Sequence, residues 1–334
     1  SSKDGVSVER VYYKNPVAYW ESLETDRLFF NRSKWYKVYR VTGDERLLDR
    51  MHQSAKKSYR LCVDSDDAAL RKGRHPEGLM FMFDMIAWSR LTLQKARKYP
   101  GKVSQEEIAE AEKLLKAVVQ VLKPTLEGDD LDPAMGIPRK LADDYRFRAF
   151  NRAMNGIGAI AMTAVALEDL QKVRNTTDYK STIDRYRKAV KEYVKYWHNW
   201  GDFVEIDGKT HFYYPYAPRQ PEPQIVDGQK VYKRPEDLGH YSHSVEGATS
   251  IFESTPELGV DDDFMTAMAN ALHHNATVKV KFGNKLALAG YAMSPAQART
   301  KPLGGPDVKK KFMPARGKVY PLQAFRDDFI DTLC

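Results

Sequence analysis

The stretch "DDYRFRAFNRAMNGIGAIAMTAVALEDL", residues 143–170, decides the fold class. From Ala159 to Leu170 it is almost entirely apolar and rich in small side chains. A helix with no polar face must be covered on most sides, so this segment predicts a core helix surrounded by other helices. Its start has a different character, with Arg148, Asn151, Arg152 and Asn155 close together. Asn151 and Asn155 stand four residues apart, which puts both amides on one helix face, one turn apart. Gly156 and Gly158 permit close backbone approach, by a neighbouring helix or by a ligand. Two readings follow: an Asn cap with glycine-mediated packing, or an amide and guanidinium cluster at a positive helix end suited to a carboxylate.

Working outward, apolar residues recur at three- and four-residue spacing in "NPVAYWESLE", "DRLFFNRSKWYKVYRVT", "ERLLDRMHQSAKKSYRLCV", "PEGLMFMFDMIAWSRLTLQKARKY" and "SQEEIAEAEKLLKAVVQVLKPTL". Turn signals such as "TGDE", "YPGKVSQEE" and "EGDDLDPAMGIP" separate them. Ser104 with Glu107 has the capping-box spacing and marks a helix start. "DYKSTIDRYRKAVKEYVKYWHNW", "DDFMTAMANALHHNATVKV" and "QAFRDDFIDTLC" extend the helical pattern beyond the core segment. No signature repeat of fixed length is present, which disfavours a pure repeat scaffold. The expectation is an all-α chain, an (α/α) toroid or incomplete barrel of helical hairpins, forming a single domain over 1–334.

One region breaks the pattern. Residues 201–235, "GDFVEIDGKTHFYYPYAPRQPEPQIVDGQKVYKRP", carry two Asp-Gly turns, many prolines and short alternating runs. They read as a β-hairpin insertion, with "VEIDGKTHFYY" as the hairpin. Its "HFYYPYAPR" offers His211, Tyr213, Tyr214, Tyr216 and Arg219. Such rings suit stacking on sugars or bases, or simply cover a core.

"RPEDLGHYSHSVEGATSIFE", residues 234–253, follows. Either Pro235 begins a helix with Glu236 and Asp237 in its positive first turn, or Asp237 caps it and Gly239 breaks it before Ser242. His240, His243 and Glu246 recur every three residues along one flank. A divalent metal on His240, His243 and Glu246 is conceivable, but the spacing is not the His-Glu-x-x-His of zinc proteases and no cofactor is expected. His75, beside Arg74 at another helix entrance, and the pair His273–His274 complete the histidines of interest. In a toroid, Arg74, His75, Asn151, Asn155, His240 and Tyr241 would gather in one cleft.

The composition narrows the partners. Of 334 residues, 53 are Lys or Arg and 45 Asp or Glu, a formal charge of +8 that attracts polyanions. The basic residues are scattered over helical stretches, and no nucleic-acid motif accompanies them, so nucleic acid is not expected. Cys62 and Cys334 are the only cysteines, too few for a disulfide framework or a cysteine-rich zinc site. No stretch approaches the ~20 consecutive apolar residues of a membrane span.

The layout resembles the α/α-toroid polysaccharide lyases, the class of the alginate and glucuronan lyases, and most closely polysaccharide lyase family 38. The resemblance rests on the helical arrangement, the Asn-bearing "FNRAMNG", the Tyr-rich "FYYPY" and the "EDLGHYSH" helix entrance. It implies a secreted or periplasmic, monomeric enzyme that cleaves an anionic, uronate-containing polysaccharide by β-elimination. In that reading Asn151 or Asn155, with Arg148 or Arg152, neutralises the uronate carboxylate. His240 and Tyr241 exchange the protons at C5 and O4, with His243 close behind and Tyr214 in reserve. Arg74, His75, Arg152, Asn155, His211, Tyr214, Tyr216 and Arg234 would bind substrate. The alternatives are a toroid glycoside hydrolase or uronate epimerase using carboxylates from Asp84, Asp144, Glu236, Asp237 and Glu246, and a non-enzymatic helical scaffold.

Overall fold

The computed structural model describes residues 33–60, 82–146, 149–218, 221–277, 279–282, 285–288, 292–300 and 325. Arg74, His75, Arg219 and both cysteines lie outside them, as do the "NPVAYWESLE" and "QAFRDDFIDTLC" segments, apart from Phe325. The side chains of Asp144 and Arg148 lie outside them too. The described chain is mostly helical with small antiparallel hairpins, as the periodicity predicts.

In chain order the helices are α1 Ser33–Thr42, α2 Glu45–Tyr59, α3 Phe83–Lys98, α4 Gln105–Leu126, α5 Arg139–Arg146, α6 Phe150–Arg174 and α7 Lys180–Trp200. After two hairpins come α8 Leu238–Phe252, α9 Asp262–Thr277 and the short α10 Pro295–Thr300. Helix starts follow the local chemistry. Ser104 and Glu107 form the expected reciprocal capping box on α4, and Asp44 caps α2.

α6 is the core helix. Nearly every residue from Phe150 to Leu170 is buried, and α3, α7 and α8 all pack on it. It is the one described helix long and apolar enough to cross a membrane, and 83% of its most apolar window is covered by the rest of the protein. Two of its buried polar groups have partners: the Thr163 hydroxyl donates to the Ala159 carbonyl, and Asp169 pairs with Arg97 of α3.

The glycine expectation resolves in favour of a neighbouring helix. A Cβ on Gly158 would lie 2.8 Å from the Gly247 carbonyl oxygen, and one on Gly247 only 2.5 Å from the Met154 carbonyl. α6 and α8 therefore cross in direct backbone contact, which only glycine allows.

The insertion forms two hairpins. β1 (Asp202–Ile206) pairs with β2 (Lys209–Tyr213), and β3 (Gln224–Val226) with β4 (Gln229–Val231). Both turn at an Asp-Gly pair with positive φ at each residue, +52° and +70° at Asp207–Gly208 and +49° and +75° at Asp227–Gly228. That geometry matches the twist of the flanking strands. A third hairpin, β5 (Lys279–Phe282) with β6 (Lys285–Leu288), was not expected. Sequence periodicity carries α9 through Val280, but the helix ends at Thr277 and the alternating "KVKF" pairs as a strand.

The core is one continuous hydrophobic cluster running from Tyr36 to Ala292. Trp197 of α7 is its aromatic hub, edge-on to Phe212, Tyr214 and Phe264 at 5.1–5.2 Å.

Candidate functional site

Three stretches distant in sequence meet at one place. Pro215 and Pro235 form an antiparallel bridge, flanked by Tyr216 N–H donating to the Arg234 carbonyl and Glu236 N–H donating to the Tyr214 carbonyl. The Tyr216 carbonyl then accepts from the Phe150 N–H, 3.0 Å away, at the start of α6. This satisfies one of the four orphan donors of a helix N-terminus. The α6 start, the tyrosine loop and the α8 entrance are thus tied by backbone hydrogen bonds.

Asp237 is the N-cap of α8, its carboxylate accepting from the His240 N–H at 3.0 Å. Of the two helix starts the sequence allows, the structure takes the Asp237 cap without a break, because Gly239 continues the helix. The other Asp237 oxygen lies 2.5 Å from His240 Nδ1. The His240 side chain is 43% exposed, so its ring is oriented on one side and open to solvent on another. Tyr216 packs edge-on against His240 at 5.2 Å, and the Arg234 guanidinium lies over the Tyr216 ring at 3.8 Å. Tyr216 is half-buried and Arg234 exposed. Asp237, His240, Tyr216 and Arg234 therefore form a continuous accessible cluster.

The second rank lies beneath. His243 Nδ1 faces Glu246 at 3.4 Å, with side chains only 13% and 5% exposed. Asn155 donates through Nδ2 to the Asn151 and His243 carbonyls, at 2.9 and 3.1 Å, and so fastens α6 to α8. Arg152, one residue beyond Asn151, is exposed at the α6 start.

Several expectations need correction. Tyr241 is fully buried and its hydroxyl donates to the Met268 carbonyl at 3.1 Å, so it has no access to a substrate. Burial holds its phenol far above its usual pKa, the opposite of what a proton carrier needs. Tyr214 is equally buried, stacked on Tyr241 and Phe212, and belongs to the core. The Ser244 hydroxyl lies near enough to influence the Tyr214 phenol, without reaching hydrogen-bond geometry. His211 is 4% exposed, its Nδ1 against the Lys209 carbonyl, and does not reach the surface cluster. Asn151 is buried, and its Nδ2 has no hydrogen-bond partner among the described residues. Asn155 spends its donors on helix carbonyls, so its amide acts as a fastener rather than a ligand.

For the carboxylates, Asp84 is buried and paired with Ser54. Glu236 is the residue whose importance the sequence leaves undecided between cap and catalyst. It is completely buried, neither of its oxygens has a hydrogen-bond partner among the described residues, and burial beside Asp237 drives its pKa well above the carboxylate range. Glu236, Asp237 and His240 each place a ligand-type atom within 4.8 Å of the others. This grouping shares only His240 with the His240, His243 and Glu246 flank considered from the sequence.

No protein-family model, curated protein or solved structure matches the chain.

Proposed function

We propose that the chain is a polysaccharide lyase that cleaves an anionic, uronate-containing polymer of the alginate or glucuronan class, its helical hairpins arranged as an α/α toroid. The observation that carries this reading is the accessible Asp237–His240 pair beside Tyr216 and Arg234.

β-Elimination needs three services: neutralisation of the uronate carboxylate, removal of the C5 proton and protonation of the leaving O4. Asp237 holds the Nδ1 side of His240, so the lone pair at Nε2 is presented outward as the base for C5. Tyr216 takes the proton-donor role at O4, in place of the buried Tyr241. Arg234 and Arg152, both exposed, are the cations for the carboxylate. Planar guanidinium groups do this without offering a competing base. The surplus positive charge draws the polymer toward the protein.

The test is incubation with alginate, glucuronan, hyaluronan and chondroitin, following the ultraviolet absorbance of the unsaturated uronate that only elimination makes. Absorbance growth that falls about 10²–10⁴-fold in His240→Ala supports the assignment. New reducing ends without absorbance mean hydrolysis, and neither signal on any polymer removes the enzyme reading.

A further inference from the structure

We propose that Glu236, Asp237 and His240 bind one divalent transition-metal ion, of the Zn²⁺ or Mn²⁺ type, and that the bound ion withholds His240 from proton transfer. The binding half stands on the geometry alone, whereas the inhibitory half rests on the lyase reading above.

The first observation is proximity. One donor atom from each residue lies within 4.8 Å of the other two, and all three come from the five-residue segment at the α8 entrance. Metal–donor bonds of about 2.0–2.2 Å would draw these atoms together by side-chain rotation, without moving the backbone.

The second observation is independent of proximity and concerns Glu236. Its side chain is wholly buried, yet neither carboxyl oxygen has a hydrogen-bond partner among the described residues. Ionised, such a group is a bare buried charge; protonated, it is a buried donor with nothing to donate to. Neither form is satisfied by the protein. Its neighbours compensate only in part: the Asp237 carboxylate adds like charge, the Asp237 backbone and the Arg234 guanidinium oppose it, and burial still dominates. A divalent ion satisfies both carboxylates together: two negative charges balance the ion, and a neutral imidazole completes the set.

The donor set selects the ion. Calcium takes six to eight oxygens, and magnesium keeps most of its waters. An imidazole nitrogen with two carboxylates favours zinc or manganese, with a remaining position open toward the exposed side of His240.

The balance of protons follows. Glu236 and Asp237 bind as carboxylates, any proton carried by Glu236 passing to solvent. On His240 the proton moves from Nδ1 to Nε2, and the Nδ1 lone pair goes to the ion. Nε2 is then an N–H donor, so the outward nitrogen no longer accepts a proton from C5.

The experiment uses untagged full-length protein stripped with a chelator, then titrated calorimetrically with ZnCl₂ and, separately, MnCl₂. One ion per chain at micromolar affinity or tighter is expected, with a rise in melting temperature. Glu236→Gln and His240→Ala should each weaken binding at least tenfold, and His243→Ala should leave it unchanged. Melting curves in chelator establish that each variant is folded. If neither ion binds at one per chain, or if Glu236→Gln binds as wild type does, the site is overturned. On whichever uronate polymer the stripped enzyme turns over, one equivalent of the bound ion should suppress elimination and chelator should restore it. Unchanged rates with the ion bound overturn the inhibitory half. Absence of lyase activity on every polymer defeats the lyase reading and the inhibition with it, while the titration still decides the site.

Discussion

Replacing Gly247 by alanine tests the α6–α8 crossing on which the candidate site is built. The new Cβ would sit 2.5 Å from both the carbonyl carbon and oxygen of Met154, and 2.8 Å from the Asn155 nitrogen. Ordinary contact begins at 3.4 Å, so the two helices must separate by 3.4 − 2.5 = 0.9 Å. α6 cannot retreat freely, because α3 and α7 pack on it as well. The obstacle is backbone rather than a flexible side chain, which places the overpacking penalty near the top of the usual range, at about 3 kcal/mol. Alanine recovers about 1 kcal/mol of helix propensity, leaving a net loss of about 2 kcal/mol. At roughly 2 °C per kcal/mol for a chain of this size, the melting temperature should fall by about 4 °C. Scanning calorimetry, or circular dichroism followed against temperature, reads this directly. The sign is decisive: were the helices not in backbone contact, the same substitution would raise the melting temperature by about 2 °C through propensity alone. A rise would refute the crossing. The shift should also stretch the Asn155 bond to the His243 carbonyl and lower activity.

Three further outcomes are expected. Tyr241→Phe should leave turnover close to wild type while costing about 1 kcal/mol in thermal stability, because its hydroxyl serves only internal carbonyls. Asp237→Asn should keep the cap of α8, since Asn caps as well as Asp, yet lower elimination by about 10²-fold in steady-state assays by releasing His240. His198 stacks on Phe264 at 4.5 Å, and burial lowers its pKa to about 4. Between pH 6.5 and 4 the unfolded chain therefore binds the proton that the folded chain refuses, and stability falls as pH falls through that window. The fall from the ordinary value to about 4 corresponds to roughly 3 kcal/mol, so melts of His198→Phe should show a markedly flatter acid limb than wild type; an unchanged limb would contradict the neutral ring.

The helices were legible because their signals are local. Ser104 with Glu107 and the unbroken apolar run after Ala159 each point to one structure, and the two Asp-Gly pairs do so for the turns. The site was legible only in outline. Sequence spacing brought attention to the α8 entrance, but it could not say which tyrosine reaches solvent. Strand alternation separates His211 and Tyr213 from Phe212 and Tyr214, yet all four are buried. On one face His211 meets His274 of α9, and on the other Phe212 meets Trp197 of α7 and Phe264 at the start of α9. Exposure is restored at Tyr216, after Pro215 ends the run. Likewise Tyr241 looked like a partner of His240, although adjacent residues on a helix diverge by about 100°, enough to send one outward and the other into the core. The solitude of the Glu236 carboxyl has no sequence signature, because it depends on what three separate segments leave unpaired around it.

The bond from the Phe150 N–H to the Tyr216 carbonyl gives the molecule a built-in reporter. An amide in the first turn of a helix ordinarily exchanges with solvent deuterium quickly, having no partner within its own helix. Here its protection depends on the tyrosine loop staying docked, so the exchange rate of one backbone proton measures how often the Tyr216 edge lifts away from the core. A polymer that gripped Tyr216 and Arg234 would slow that single proton well before any chemistry occurred.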